Sequence, residues 1–496
     1  MKTEHYDVLI VGAGLSGIGA AYHLQNDCGG RKSYVILESR SNMGGTWDLF
    51  RYPGIRSDSD MFTMGYRFRP WTGEKTVTDG PSIRHYILDT ARENGIDRHI
   101  RFNHRVRRAA WSSSHACWEV EAETGSGETA CFSCSFLMWC SGYYRYERGH
   151  TPDFPGRERF RGPVVHPQHW PEDFDYRGKR VIVIGSGATA MTLIPAMAEE
   201  TAHITMLQRS PTYVVSRPDR DAFADRLRKL LPESVVYRLT RTKNIVMTML
   251  FYQLSRRRPE TVKKMLRTQL REELGPDFDL DAHFRPRYNP WDQRLCLVPN
   301  ADLFRALRGG RASVVTDRVE SFTGNGIRLQ SGRELEADII VTATGLEMIA
   351  FGGAELFVDG TRVEPGKHLS YKGMMLDEVP NLTSVIGYTN ASWTLKSELT
   401  CEYACRLINY MDRHGYAWCY PHNDDPNLET KPLLDLSSGY VQRAVHLFPR
   451  QADKEPWRVH QNYVMDLLKL RYTPVTDEAM QFRRLQGAHG LQRLAS

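Results

Sequence analysis

The sequence predicts an α/β fold in which one domain is inserted into another. Two segments, Tyr6–Val11 and Arg180–Ile184, have the short apolar pattern of a buried strand, and each is followed at once by a glycine-rich turn and a helix start. Further apolar segments at 337–345 (ADIIVTATG) and 381–390 (NLTSVIGYTN) predict later strands. A chain of 496 residues also exceeds the size that one hydrophobic core supports. We therefore expect two domains of similar design.

Both turns match the G-x-G-x-x-G/A pattern of Rossmann-like dinucleotide-binding domains. The first glycine allows a tight turn, the second lets backbone N–H groups approach a pyrophosphate, and the third small residue lets the helix lie close to the strand. Two such turns predict two dinucleotide sites. The residues expected to bind are Gly12, Gly14, Ser16 and Gly17 in the first turn, and Gly185, Ser186, Gly187, Thr189 and Ala190 in the second.

The strand that follows each turn indicates which nucleotide binds there. After the first turn, SYVILES ends in Glu38, whose carboxylate suits ribose hydroxyls and repels a 2′-phosphate. After the second turn, HITMLQRS ends in Arg209 and Ser210, a cation and a hydroxyl that suit the extra phosphate of NADP. The alternative, that both turns bind the same nucleotide, stays open at this point.

The order of these segments predicts the domain boundaries. We expect a first domain at 1–150 that resumes at 345–496, interrupted by a second domain at 160–340 with a helical insert at about 219–290. The strand predicted at 381–390 must then pair with a strand from the first part of the chain. The tail after Glu478 shows little strand pattern and is expected to be peripheral.

Composition narrows the class of protein. The net charge is only +6, and basic residues are not interleaved with aromatic ones on one face, so nucleic-acid binding is not expected. The N-terminus has no signal-peptide pattern and no apolar run is long enough to span a membrane, which predicts a cytoplasmic protein. Cys131 and Cys134 form a C-x-x-C, but no second ligand pair has zinc spacing, so no metal is expected.

One segment of the helical insert has a second interpretation. Asn244–Arg258 is apolar and then strongly basic, a pattern that also occurs in helices lying on an anionic membrane surface. The favoured interpretation is that its apolar side packs on the core. Weak peripheral membrane association stays open as the alternative.

Two short segments carry unusual chemistry. GGTWDLFRYPGIRSD, residues 44–58, provides glycines and aromatic rings next to a carboxylate, as in a seat for a flat flavin ring. FRGPVVHPQHW, residues 160–170, has two histidines in a segment too rich in proline for a helix or a regular strand. A metal site, a nucleic-acid platform and a hinge between domains are the candidates, and the lack of further ligands favours the hinge.

These segments resemble the fingerprints of type I Baeyer–Villiger monooxygenases. One fingerprint, G-G-x-W-x-x-x-x-Y-P-G-x-x-x-D, is matched from Gly44 to Asp58, and the other, F-x-G-x-x-x-H-x-x-x-W, by Phe160, Gly162, His166 and Trp170. Within that family the sequence looks most like the ethionamide monooxygenase branch, which activates thioamide prodrugs. The resemblance implies FAD in the first domain and NADPH in the second, with Gly45, Thr46, Trp47 and Asp58 at the flavin.

The resemblance also implies the chemistry. NADPH reduces FAD, O₂ adds at the flavin C4a, and the resulting peroxide attacks a ketone to give an ester or lactone. Arg294 in PWDQRLC matches the family's active-site arginine, Asp58 is expected to pair with it, and His166 is expected to link domain movement to the cofactor. Many relatives have lysine where this chain has Gln293, so the NADPH preference is expected to depend mainly on Arg209 and Ser210.

Three rival functions remain to be weighed. The same peroxide chemistry oxygenates sulfides, thioamides or amines, and a carbonyl-directed reaction is favoured because Arg294 and Asp58 suit an anionic peroxide. A disulfide reductase needs a cysteine pair near the flavin, and 44–58 contains no cysteine. A non-catalytic nucleotide sensor does not need Arg294. The loop from Tyr388 to Trp393 and the helical insert are expected to shape the substrate pocket, while the natural substrate and the oligomeric state are not predicted.

Overall fold

The computed structural model describes residues 3–485 and confirms the α/β fold. Its largest sheet, called here the first sheet, combines strands from both ends of the chain. In spatial order its strands are Thr361–Val363, Glu355–Val358, His104–Ser112, Cys117–Thr124, Thr129–Trp139, Glu4–Val11, Tyr34–Leu37 and Ile100–Arg101. The late strand Leu382–Ser384 pairs in parallel with the end of Thr129–Trp139, so the C-terminal part of the chain returns to this sheet as expected.

The second sheet is parallel throughout and is built from residues between these two parts. In spatial order its strands are Ala312–Thr316, His203–Gln208, Arg180–Ile184, Ile339–Thr342 and Val164–Val165. Its central strands are buried on both faces, which explains their continuous Val and Ile content. A small antiparallel sheet covers one side, formed by Val319–Thr323, Gly326–Leu329 and Glu334–Glu336.

Two antiparallel strands connect the parts. Tyr144–Gly149 leads into the second domain, and Leu346–Met348 leads back out of it. The boundaries predicted at 150 and 345 fall at the ends of this pair. Within the described residues the chain enters and leaves the second domain through this strand pair.

Helices cover the sheets and form the predicted insert. The α-helices are Leu15–Asp27, Thr46–Leu49, Met61–Met64, Gly80–Glu93, Ala188–Met197, Ala222–Leu227, Glu233–Arg257, Pro259–Leu274, Leu280–His283, Asp302–Arg308, Trp393–His414, Gly439–Ala444 and Tyr463–Leu467. The 25-residue helix Glu233–Arg257 is called here the long helix. No helix within residues 3–485 is long and apolar enough to cross a membrane.

Smaller strand pairs complete the fold. They are Val214–Arg217 with Cys296–Pro299, Ser370–Tyr371 with Met375–Leu376, Thr430–Pro432 with Arg450–Ala452, and Trp418–Pro421 with Met480–Arg483. The last pair shows that the expectation of a peripheral tail after Glu478 was wrong, because Met480 is buried and its strand is hydrogen-bonded. The remainder of that tail, residues 486–496, lies outside the described residues.

Candidate active site

One cavity of about 590 Å³ lies at the carboxyl ends of the first sheet's strands and reaches the second domain. Ligands of open α/β sheets bind at this edge. Most of the site residues predicted for the first nucleotide and for catalysis line it: Gly12, Gly14, Ser16, Glu38, Gly45, Thr46, Trp47, Asp58 and Arg294. Thr189, predicted for the second nucleotide, lines it as well. The cavity therefore joins the predicted flavin site, the start of a helix of the second domain and the predicted catalytic arginine.

The first glycine turn has the geometry that a bound pyrophosphate needs. Gly12 has a φ of 101°, and a Cβ atom there would lie 2.9 Å from the carbonyl oxygen of Cys140. A Cβ atom at Gly17 would lie 1.8 Å from the carbonyl oxygen of Gly12, so only glycine lets the helix lie this close to the strand. The helix Leu15–Asp27 begins directly after this turn, and its N-terminus faces the cavity edge.

Two glycines, Gly14 and Gly45, face each other at the same end of the cavity. A Cβ atom on Gly45 would lie 3.1 Å from the Cα of Gly14, so a side chain at either position would fill the space between the two turns. Nearby, Trp393 Nε1 donates a hydrogen bond to Ser16 Oγ at 2.8 Å. The backbone is thus kept open where an FAD pyrophosphate would lie, and the residues present fit that cofactor.

Glu38 lies at the end of the second strand and is almost completely buried. Its carboxylate accepts hydrogen bonds from Ala13 N at 2.7 Å and from Arg40 N at 2.9 Å. Burial raises the pKa of Glu38, and these two backbone donors oppose that rise. The carboxylate is therefore fixed against the glycine turn, on the wall of the cavity, where the ribose of a dinucleotide is expected.

The loop at 44–58 is held by a buried carboxylate that the sequence did not reveal as special. Asp48 has no exposed surface and accepts from Arg40 Nη2 at 2.6 Å and Arg84 Nε at 2.8 Å, with Arg51 Nη2 at 3.4 Å. On the opposite side, Thr46 hydrogen-bonds to the hydroxyl of Tyr146, whose pKa is raised by burial. These contacts fix the short helix that presents Thr46 and Trp47 to the cavity.

The second half of this loop packs on the inserted domain. Phe50 and Tyr52 belong to the hydrophobic core of the second domain, and the Tyr52 hydroxyl bonds to Thr192 and Thr189. Gly54, with a φ of 77°, approaches the helix Ala188–Met197 so closely that a Cβ atom would lie 2.4 Å from the carbonyl oxygen of Thr192. The loop therefore connects the two nucleotide-binding domains as well as lining the cavity.

Arg294 lies in a group of tyrosines at the other end of the cavity. Electrostatic interaction with Tyr143, and further with Tyr440, Tyr144 and Asp58, raises its pKa even though burial opposes this. Its Nε atom is buried and has no hydrogen-bond partner. A buried N–H without a partner is unusual in a folded protein. The guanidinium thus stays positive and retains a donor that a ligand can use.

The loop that carries Arg294 is tied to both halves of the chain. Ser437 donates to the carbonyl oxygen of Asp292 through its N at 2.9 Å and its Oγ at 3.0 Å, and Arg256 pairs with the Asp292 carboxylate at 2.7 Å. Trp291 has a φ of 70°, a strained value for such a residue. The arginine is held in place by contacts with the long helix and with the C-terminal part of the chain.

The expected direct pairing of Asp58 with Arg294 is not formed. Both residues line the cavity, and the charge of Asp58 contributes to the raised pKa of Arg294. Within residues 3–485, however, no ion pair joins them, and Asp58 is exposed. The tyrosine hydroxyl groups occupy the surroundings of the guanidinium instead, which leaves Asp58 acting through charge at longer range.

The fingerprint segment at 160–170 packs against the two strands that connect the domains. His166 Nδ1 accepts from Gln168 N at 3.2 Å, so Nε2 carries the proton and donates to the carbonyl oxygen of Gly345 at 3.2 Å. The buried side chain of Gln168 donates to the carbonyl oxygens of Arg145 and Tyr146 at 2.7 and 2.9 Å. The segment therefore bridges both connecting strands, and Gln168 is a contributor that sequence reasoning missed.

The other fingerprint residues shape the second domain. Phe160 is buried and packs edge-on against Phe322. A Cβ atom at Gly162 would lie 2.2 Å from the carbonyl oxygen of Asp338, which explains the glycine. Trp170 packs edge-on against Phe174 with ring centres 5.5 Å apart. These three residues lie away from the cavity lining and support the linker.

The second glycine turn opens on a different surface. Gly185 has a φ of 138°, and a Cβ atom there would lie 2.2 Å from the carbonyl oxygen of Ala343, whereas Gly187 has open space around it. Ser186 Oγ donates to the carbonyl oxygen of Ser210 at 3.1 Å, and Arg209 is exposed beside it. Together with Ala190, buried in the following helix, these residues form the predicted NADP turn, outside the cavity except for Thr189.

The loop from Tyr388 to Trp393, expected from the sequence to shape the substrate pocket, contributes to the cavity lining, whereas the helical insert at about 219–290 contributes no lining residue. Tyr388 lines the cavity and donates from its hydroxyl to Asp466 at 2.7 Å, and Asp466 forms a buried ion pair with Lys396 at 2.8 Å. Tyr143 and Trp393 also line it. Tyr143 was not predicted, because a single aromatic residue carries no local signal of such a role. In the part of the chain described, no group of three or more His, Cys, Asp or Glu side chains has an arrangement that holds a metal.

Comparisons with known proteins agree with this geometry. The family profile described as flavin-binding monooxygenase-like matches residues 77–409, and an NAD(P)-binding Rossmann-like profile matches 10–69. The chain is 52% identical to the FAD-containing monooxygenase EthA of Mycobacterium tuberculosis over 97% of this chain and 98% of the relative. It is 47% identical to the probable FAD-binding monooxygenase AlmA of Acinetobacter baylyi over 97% of this chain and 96% of that one.

Solved structures share the fold. Open cyclohexanone monooxygenase superposes with a TM-score of 0.73 at 21% identity, covering 85% of this chain and 91% of that chain. Oxidized steroid monooxygenase bound to NADP superposes with a TM-score of 0.74 at 21% identity, covering 97% and 100%. The chain belongs to the flavin-binding monooxygenase-like family. It is an NADPH-dependent flavoprotein monooxygenase that uses FAD.

Proposed function

We propose that this monooxygenase inserts one oxygen atom from O₂ into ketones, giving esters or lactones. The observation that carries the proposal is the position of Arg294, a permanently charged group with an unpartnered buried N–H on the same cavity as the first glycine turn. Carbonyl-directed oxygen transfer places negative charge on oxygen, and a preorganised cation in a site shielded from water stabilises such charge.

The geometry of the cavity supports the following cofactor assignments. The turn from Gly12 to Gly17 would hold the FAD pyrophosphate, Glu38 the ribose, and the loop at 44–58 the ring system. Arg209 and Ser210 would hold the 2′-phosphate of NADPH beside the second turn. Once FAD is bound, and after NADPH has reduced it, the flavin activates O₂.

The chain's own groups provide charge and shape. An arginine guanidinium keeps its proton at every physiological pH, so Arg294 binds an anionic oxygen without losing a proton. Asp58 lies on the same cavity wall and orients the guanidinium through its field. Tyr143, Tyr388 and Trp393 provide the apolar surface that excludes water from the substrate.

Oxygenation of sulfides, thioamides or amines by the same site is the alternative. Transfer to sulfur or nitrogen requires an electrophilic, protonated oxygen donor, and a permanent cation at the site disfavours that protonated form. We therefore expect ketone oxidation to be the principal reaction and sulfide oxidation a side activity.

The test is product analysis with matched substrates. The purified holoenzyme would be supplied with NADPH, O₂ and either a methyl ketone or the sulfide of the same carbon skeleton. We expect ester formation with a higher kcat/KM than sulfoxide formation, measured by mass spectrometry against NADPH consumption. Sulfoxide formation with no ester from any ketone of a chain-length series would contradict the proposal.

A further inference from the structure

The long helix has one side packed on the protein and the other open to solvent. Its inner side contributes Tyr237, Arg241 and Ile245 to the interior, where Arg241 pairs with Glu398 at 2.8 Å and donates to the carbonyl oxygens of Phe62 and Gly65. These buried contacts fix the orientation of the helix. Its outer side therefore faces the solvent in a fixed orientation.

The outer side is apolar along most of the helix. Its exposed apolar residues recur mainly at spacings of four and seven, which places them on one face of the helix. The apolar ones form the stripe Val235, Leu239, Val246, Leu250 and Leu254, with Met247 beside it. Leu250 is 59% exposed and Met247 58%, values far above those of a packed helix face. At 1.5 Å per residue the 25-residue helix is about 37 Å long.

Cations accompany this stripe, and the one acidic residue of the helix, Glu233, lies in its first turn and is paired with Arg228. Residues 234–259 contain six arginines and lysines and no aspartate or glutamate. Three of the six are paired: Arg241 with Glu398, Lys243 with Asp221, and Arg256 with Asp292. Within the described residues the other three, Arg238, Arg257 and Arg258, are exposed and form no ion pair.

We propose that the outer face of the long helix docks on a membrane surface that contains anionic lipids. A helix with an exposed apolar stripe and flanking cations lies in the lipid interface with its apolar side buried, and phosphate groups neutralise the cations. A second copy of this chain is a poorer occupant, because a symmetric contact brings the unpaired arginines of both copies together. The helix does not span, and it interacts with one face of the membrane.

This docking would bring the active cavity close to the lipid. Ile245, on the inner side of the helix, packs against Tyr388 and Leu395, and Tyr388 lines the cavity. The membrane-facing helix therefore packs directly against a residue of the cavity wall. The docking proposal itself depends only on the helix surface and is independent of which substrate is oxygenated.

The experiment is vesicle flotation of the full-length FAD-loaded protein. Vesicles of phosphatidylcholine would be compared with vesicles containing about one third phosphatidylglycerol, at low and high salt. We expect binding to the anionic vesicles, weakening with salt, and little binding to the neutral ones. Failure of the wild-type holoenzyme to bind anionic vesicles at low salt would overturn the proposal, whatever its oxygenase activity.

Two pairs of variants assign the binding to this face. Leu250→Gln is expected to weaken binding roughly tenfold through lost apolar burial, whereas Leu447→Gln, at an exposed leucine outside the helix, leaves it unchanged. R257Q/R258Q is expected to weaken binding roughly thirtyfold, and R157Q/R333Q, which removes two unpaired exposed cations elsewhere, changes it far less.

The controls also exclude a second copy of the chain. FAD absorbance and NADPH oxidation verify that each variant is folded. Equal binding by R257Q/R258Q and R157Q/R333Q would contradict the assignment of this face. Concentration-dependent self-association that Leu250→Gln abolishes, with vesicle binding unaffected, would assign the face to a second copy and overturn the membrane proposal.

Discussion

The Nε2 atom of His166 lies 3.2 Å from the carbonyl oxygen of Gly345, at the point where the chain leaves the inserted domain. The same oxygen accepts from His150 N at 3.0 Å, where the chain enters that domain. The imidazole also lies against the backbone of Gly149, since a Cβ atom there would be 2.0 Å from its Cε1. One histidine thus contacts both crossings between the two domains.

This geometry predicts a pH-dependent linker. Burial lowers the pKa of His166 below its usual value of 6.5, so the unfolded chain binds a proton more readily than the folded one. The contribution of His166 to the free energy of unfolding is therefore present above pH 6.5 and is lost as the pH falls below it. Protonation of Nδ1 also removes the acceptor that Gln168 N uses.

Thermal unfolding of the wild type and His166→Asn between pH 8 and pH 5 checks this prediction. The melting temperature of the wild type should fall more steeply below pH 6.5 than that of the variant. The other titrating groups are common to both proteins, so the difference between the two curves isolates His166. Parallel curves across the whole range would contradict it.

Gly54→Ala should loosen the flavin loop from the inserted domain. The new Cβ atom would lie 2.4 Å from the carbonyl oxygen of Thr192 and 2.6 Å from the Cβ of Ala196, at a φ of 77°. We expect a loss of about 3 kcal/mol in the free energy of unfolding. The matched control is Gly178→Ala, which has a φ of 64° and no atom within 4 Å, and should cost about 1 kcal/mol. Equal losses in denaturant titrations would refute the packing argument.

Asp48→Asn should destabilise the loop and weaken FAD binding. Its carboxylate is buried against Arg40 and Arg84, and neutralising it leaves those cations without compensation. Because both arginines are partly exposed, we expect about 2–3 kcal/mol, less than for a fully buried pair. Asp281→Asn, an exposed carboxylate that also contacts two arginines, serves as the control and should change stability very little. FAD titration of both apoproteins is the second readout. An unchanged affinity for FAD in Asp48→Asn would contradict the role of Asp48 in holding the flavin loop.

Arg209→Ala should reduce the preference for NADPH over NADH. Arg209 is exposed at the end of its strand beside Ser210, and Gln293 supplies only a neutral amide near Arg294. We expect the ratio of kcat/KM values for the two nucleotides to fall roughly tenfold, through a higher KM for NADPH. Arg333→Ala is the control for loss of a positive charge and should leave this ratio unchanged. Gln293→Lys should raise the ratio of the kcat/KM values for NADPH and NADH. Undiminished discrimination after Arg209→Ala would refute the assignment.

Local signals were sufficient for much of the fold. The strand at Arg180–Ile184 and both glycine turns could be predicted because a buried strand, a tight turn and a helix start each have their own residue requirements within a few positions. The inserted arrangement followed from the order of these signals. The short strand Met480–Arg483 was missed because its four residues do not form a recognisable strand pattern. Its pairing with Trp418–Pro421 makes it a strand.

Less of the candidate active site could be predicted from the sequence. Asp48 resembles any loop aspartate until Arg40 and Arg84 converge on it, and that convergence depends on tertiary structure. The tyrosines around Arg294 come from positions as distant as Tyr143 and Tyr440. The expected direct contact of Asp58 with Arg294 is not formed, since a family resemblance transfers residue identities but not the distances between them.

Arg294 allows the most direct test of the central claim, that a permanent cation on the flavin cavity directs oxygen to the substrate. In Arg294→Ala and Arg294→Lys, retained FAD absorbance and retained reduction of FAD by NADPH verify that the cofactors still bind. The measurement is ester formed per NADPH consumed with a ketone substrate. The account predicts that ester formation falls by roughly 10²–10³ in Arg294→Ala while NADPH is still oxidised. Ester formation at the wild-type yield and rate in that variant would contradict the claim.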